Sequence, residues 1–257
     1  MYYGCKKEID DKRDYKASVC YTYKSYPESH IIKMGPIKDQ GIVNSCVAYS
    51  LSSFLENEYL DSNLHFSTGF IYGYRPLTYS QEEGMYPREA LKTLQKLGDV
   101  ENQYFDHNKE LPEIKKLVDD NIEHLIPLAE IYKIKSYARI YTEDKIKECL
   151  LNDCPVPVSI PVINDLKTDK QGKLISSEGE IQGYHMIILY GYNKEGYLFQ
   201  NSWGKDWGNK GCGILPYDYK IDSAWAISTE DNNISTYQTI WQKIYKFFIK
   251  LLNLFEE

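Results

Sequence analysis

Four residues have side chains and spacing suited to covalent chemistry. Cys46 lies in "KDQGIVNSCVAYS" (38–50), between small polar residues and the start of a helical pattern, with Gln40 six residues ahead of it. His185 opens an apolar, β-rich run, "HMIILYGY", and Asn201 follows sixteen residues later in "QNSWG". A nucleophilic thiol must ionise, and a helix N-terminus or an imidazolium favours that. Cys46 at a helix start has the first, and His185 offers the second. An asparagine can hold the imidazole in one tautomer, which makes Cys46, His185 and Asn201 a nucleophile, base and orienter. The Gln40 side-chain amide, with the Cys46 main-chain N–H, can donate to an oxygen that becomes an oxyanion. A lone cysteine in such a setting would ordinarily be a small buried hydrophobe. The four residues together argue for catalysis.

The elements that must position them fall into two halves. Val47, Leu51, Phe54, Leu55 and Tyr59 recur at helical spacing, which predicts a helix over 46–59. Further helices are expected at 86–98, where Pro87 suits the first turn and Gly98 the stop, at 111–125 on the surface, and at 141–153 with Thr142 as N-cap. Beyond Pro155 the chain becomes strand-like: 156–163, 185–192, 196–202, 211–217 and 224–228 are short, β-rich and bounded by Gly, Pro, Asn or Asp, with "YNKEG" as a hairpin turn. A helical half followed by a strand-rich half predicts an α+β protein with two lobes. Residues 1–35 read as an irregular N-terminal extension.

Bulk properties exclude several classes. With 257 residues, 42% apolar and 26% charged, the chain has the makings of a globular protein. A net charge of −7, with Lys and Arg scattered among Asp and Glu, argues against nucleic acid as a partner. Six cysteines lack metal-ligand spacing, so neither metal nor cofactor is expected; those other than Cys46 read as free structural thiols, with a Cys149–Cys154 bridge as the alternative in an oxidising setting. The charged start has no apolar core of a secretory signal, so a cytoplasmic or host-cell interior setting is expected. No stretch is apolar over a membrane-spanning length. The tail 236–257 has an amphipathic helical pattern, expected to dock on its own domain, to self-associate, or to lie on a membrane surface.

The stretches "KDQGIVNSCVAYS", "EEGMYPREALKTL" and "YHMIILYGYNKEGYLFQNSWGKDWGNKGCG" resemble, in that order, the papain-like cysteine peptidases over roughly residues 36–228. The resemblance implies a papain-like fold, with a helical lobe over about 40–130, an antiparallel β-barrel-like lobe over about 131–230, and the active-site cleft between them. It implies Cys46 as nucleophile, His185 as base and then acid, Asn201 as orienter, Gln40 as oxyanion donor, and Trp203 as a shield over the His–Asn hydrogen bond. Gly84, Met85 and Pro87 fall on the family's substrate-pairing strip, and Tyr184 with the segment Val158 to Pro161 would complete the S2 walls. Protein or peptide substrates follow, with an apolar P2 residue expected. Val43 stands where the family has a disulfide cysteine, Val47 where it has a tryptophan, and Met85 where it has a second glycine. The N-terminal "D-x-R-D" segment resembles bacterial and viral members with short extensions. Residues 1–35 are therefore expected to lie across the cleft as a short propeptide, in a zymogen. Two rival readings are a papain-shaped binding protein without catalysis, and acyl transfer to an amine instead of hydrolysis.

Overall fold

The computed structural model describes residues 3–12, 14–17, 25–60, 63–175 and 177–229. The tail over 236–257 lies outside them. Elements follow in the order β1 (His30–Ile31), α1 (Cys46–Glu58), α2 (Thr68–Gly73), α3 (Pro87–Lys96), α4 (Glu113–Ala129), β2 (Ile134–Ile140), α5 (Glu143–Leu151), β3 (Val156–Val162), β4 (Gly183–Asn193), β5 (Gly196–Gln200), β6 (Cys212–Leu215) and β7 (Ser223–Thr229). The helical half and the strand half are those the sequence predicts. Helix α2, β1 and β2 are additional. Strand β2, "IKSYARI", has an irregular burial pattern and a register shift against β7, which hides its alternation.

The strands form one antiparallel sheet ordered β2-β7-β3-β4-β5-β6, with β1 on the side of β4. Among the described residues this sheet is open, which corrects the expected barrel-like lobe. Its two edges are covered by irregular chain instead of by each other. On β2, the Arg139 N–H donates to Tyr15 O and the Ala17 N–H to Arg139 O. On β6, the Leu174 N–H donates to Ile214 O and the Ile214 N–H to Gly172 O.

Strand β4 joins the lobes because its side chains alternate between two cores. Met186 and Ile188 pack with α1 to α4 and Trp225, whereas Ile187 and Leu189 pack with β3, α5 and the remaining strands. Helix α1 is buried along most of its length, and Ser50 Oγ donates to Ile187 O at 3.1 Å, so the helix is tied to β4 by packing and by a hydrogen bond. No described helix is long and apolar enough to cross a membrane.

The N-terminal extension is an extended strap between the lobes. Met85 N–H donates to Gly4 O at 2.8 Å and Lys6 N–H to Met85 O at 3.0 Å, while Cys5 N–H donates to Tyr184 O at 3.3 Å on the opposite wall. Further along, Arg88 at the start of α3 grips Glu8 Oε2 at 2.6 Å and Asp14 Oδ2 at 2.5 Å, and Lys6 reaches Glu82 at 2.9 Å.

Candidate active site

Cys46 is the first residue of α1, and its sulfur is fully covered. The main-chain amides of Met186, Gly4 and Val47 face it and favour the thiolate. Burial outweighs them and pushes the Cys46 pKa up to about 11. Gly4 belongs to the strap and lies directly over this corner. A Cβ added there would stand 1.9 Å from Asn44 O, so only glycine allows so close an approach. The atom Gly4 turns to the sulfur is its N–H; its carbonyl oxygen is taken by Met85 N–H.

His185 is on β4, one residue before the amide that faces Cys46. Its Nε2 lies 2.7 Å from Asn201 Oδ1, just beyond the end of the neighbouring strand β5. The same Oδ1 accepts the Ser202 N–H at 2.8 Å. That oxygen is therefore an acceptor, so Nε2 carries the proton and Nδ1 is left as the basic nitrogen. Among the described residues Nδ1 has no hydrogen-bond partner. Trp203 covers the pair, with ring centroids 4.4 Å from those of His185, and is itself braced edge-on by Trp207 at 5.6 Å. Burial holds the imidazole down to about 4, with the Asn201 contact acting the other way. Under the strap, burial favours the neutral form of both the thiol and the imidazole.

Gln40 is buried beside them. Its Nε2 donates to Val43 O at 2.8 Å, its Oε1 accepts from Ser202 Oγ at 2.6 Å, and its N–H donates to Ser202 O at 2.8 Å. The loop carrying Gln40 is thereby bonded to the loop carrying Asn201, across 162 residues of sequence. Among the described residues no group of His, Cys, Asp and Glu could hold a metal ion, and Cys5, Cys46, Cys149, Cys154 and Cys212 are free thiols.

The residues expected on the substrate strip separate into two groups. Gly84, with φ of 77°, brings Met85 against the strap, and Tyr184 offers its carbonyl from the other wall. Pro87 begins α3 and is buried just behind them. Val158 packs in the β-lobe core, and Pro161 is buried with its carbonyl taken by Tyr219 Oη at 2.9 Å. On β3 it is Ser159 that meets the strap, its Oγ 3.2 Å from Cys5 Sγ. Ser159 is paired with Met186 and shares its face of the sheet. The period-two alternation of "VPVSIPV" carried that signal, because a polar residue amid apolar neighbours marks a different face. The strap residues Tyr3, Gly4 and Cys5 gave none, since nothing in "YYGCKKE" is periodic.

A profile of the papain family cysteine protease matches residues 27–220. The chain belongs to the papain family. Falcipain-3 of Plasmodium falciparum is 28% identical over 68% of this chain and 37% of its own length. An uncharacterised peptidase C1-like protein of Acanthamoeba polyphaga mimivirus is 29% identical over 72% of this chain and 65% of its own. The chain thus spans about one to two thirds of the length of these two relatives. Among solved structures, xylellain, a cysteine protease from Xylella fastidiosa, superposes with a TM-score of 0.73 at 23% identity, over 89% of this chain and 96% of that one. The digestive procathepsin L 3 of Tenebrio molitor larval midgut gives 0.66 at 15% identity, over 88% and 76%. These two likenesses establish the papain-like fold.

Proposed function

We propose that the protein is a cysteine endopeptidase that cleaves peptide bonds through Cys46, His185 and Asn201, and that the strap, described over residues 3–12 and 14–17, restrains it. The observation that carries the first part is the hydrogen bond of His185 Nε2 to an Asn201 oxygen already fixed as an acceptor. It leaves Nδ1 as the base, on the residue next to the Met186 amide that faces the Cys46 sulfur. With the strap lifted, water and the α1 N-terminus favour the ionised thiol, and the proton passes from Sγ to Nδ1. The thiolate attacks the scissile carbonyl carbon. The oxygen takes up the negative charge between the Cys46 N–H and the Gln40 amide. The imidazolium then protonates the leaving amine as the C–N bond breaks, giving the thioester. Water, deprotonated by the neutral imidazole, attacks that thioester and regenerates the thiol.

An apolar P2 residue is the matching preference. It is supported by the seat of the strap's Cys5, buried in the same core cluster as Met85 and Met186 with one hydroxyl, Ser159 Oγ, at its side. Peptides varied only at P2 would test it, and a preference for Arg or Asp would refute it.

Restraint by the strap is supported by its position. It occupies the main-chain groups of Met85 and Tyr184 that a substrate would use, and its Gly4 amide faces the buried thiol. The deciding experiment is alkylation by an epoxysuccinyl peptide, followed by mass mapping. Label on Cys46 of the natural chain and none in His185→Ala is expected, with faster labelling once the strap is unseated. Label elsewhere, or equal label in both proteins, would remove the catalytic reading.

A further inference from the structure

Just after β3 the backbone makes an unusual turn: Asn164, Asp165 and Leu166 have φ of 50°, 54° and 49°. Three successive non-glycine residues in the left-handed region are held only where surrounding structure compels them, and such strain concentrates at recognition sites. Here the compulsion is visible. Leu166 is buried in the β-lobe core, and Asp165 N–H donates to Gln182 Oε1 at 3.1 Å. Between these two holds the Asp165 carboxylate stands half-buried at the rim of the cleft.

The strap's Tyr3 fills the space in front of it. Its phenol donates to Asp165 Oδ1 at 2.7 Å. Its ring lies against Gly183, where an added Cβ would come within 3.2 Å of Tyr3 Cδ2, and 6.4 Å from the ring of Trp203. Trp203 is the residue stacked on His185, and Tyr3 is separated from the Met85 strip by Gly4, which sits over the sulfur. Tyr3 thus occupies the side of the cleft opposite the strip, where the leaving amine of a substrate departs.

We infer that Trp203, Gly183 and Asp165 form a subsite on the leaving-group side that selects a tyrosine as the first residue after the cleaved bond, with Asp165 reading the phenol. This rests on the peptidase reading above. Gly183 leaves room for an aromatic ring, the tilted indole borders it, and the carboxylate lies at the distance of the para substituent. The bond is an O–H to an ionised acceptor, stronger than a neutral pair. Phenylalanine fills the seat but leaves the carboxylate without that donor, and a site built around a hydrogen bond discriminates against the analogue lacking it. Burial and the carboxylate raise the Tyr3 phenol to about 12, so it remains a donor at neutral and mildly alkaline pH.

The test uses the full chain and four fluorogenic peptides that differ only after the scissile bond, carrying Tyr, Phe, Lys or Ala. Restraint by the strap lowers all four rates together, so their ratios report the subsite. Cleavage of the Tyr peptide is expected to exceed that of the Phe peptide by about tenfold in kcat/KM, as for a partly exposed bond to a charged group. In Asp165→Gly that ratio should fall to near one. Glycine is the replacement of choice because it tolerates the φ of 54°. A Tyr-to-Phe ratio near one in the natural chain, an undiminished ratio in Asp165→Gly, or a Lys peptide cut fastest would each overturn the inference while leaving the peptidase intact. Cleavage of none of the four, with no label on Cys46, would overturn both. Independently of turnover, Tyr3→Phe should speed Cys46 alkylation in the full chain several-fold, and an unchanged rate counts against the phenol contact.

Discussion

Two stretches of the cleft are built in opposite ways. The corner of His185, Asn201, Trp203 and Gln40 is held by the catalytic domain's own bonds: Asn201 to His185, Ser202 to Gln40, Trp207 against Trp203. The strip of Met85 and Tyr184 has its main-chain groups satisfied by the strap. The chemistry-bearing side is therefore organised by the domain itself, whereas the main-chain groups on the recognition side are paired with the strap; the proposed restraint holds that they become available when it leaves. Preorganisation of the reacting groups with exchangeable contacts along the recognition strip is what a restrained enzyme requires.

The sharpest way to break that comparison is at the corner. Cys46→Ser should lower peptide cleavage by roughly a thousandfold or more, and Asn201→Ala by about a hundredfold, both read as kcat/KM. The melting temperature of Asn201→Ala should move little compared with that loss, because the change removes orientation more than packing.

A second test separates the covered thiol from the open one. With the Cys46 pKa raised to about 11, the thiolate is lost as pH falls through that value. Iodoacetamide alkylation of the full chain should therefore climb about tenfold per pH unit between 7 and 10. Once the strap is unseated, the rate should be high and nearly flat over that range. Parallel profiles for the two forms would show that the strap does not control ionisation.

Smaller effects are expected on the strap itself. Gly4→Ala places a methyl 1.9 Å from Asn44 O, so the strap cannot seat and basal activity should rise some tens-fold. Arg88→Ala leaves Glu8 and Asp14 without the guanidinium that joins them to α3, and should raise basal activity by about tenfold. Either variant with unaltered basal cleavage would mean that residues 3–17 do not restrain the enzyme.

Much of this arrangement is legible in the chain. Val47, Leu51, Phe54 and Leu55 fix α1 through their helical spacing, which puts Cys46 at its start; the hairpin between β4 and β5 brings Asn201 within hydrogen-bonding reach of His185. These are local patterns with strong periodic signals. The strap seat was not legible, because it depends on main-chain pairing between residues some eighty and one hundred and eighty positions apart. Openness of the sheet was hidden for the same reason, since the edges are finished by Tyr15, Ala17, Gly172 and Leu174, none of which belongs to a strand. Asp165 was silent because it stands on a left-handed turn that contains no glycine to signal it, next to the buried Leu166.

The orientation of Gly4 has one more consequence. A nucleophile needs an electrophilic carbon, whereas the Gly4 amide that faces the sulfur is a donor and the Gly4 carbonyl oxygen accepts from Met85 N–H. If the strap restrains the enzyme as proposed, it is expected to stay uncut at Gly4, which mass spectrometry of the stored chain would check. Onset of activity would then follow detachment of an intact leader, and a synthetic copy of that leader added back should switch the enzyme off again.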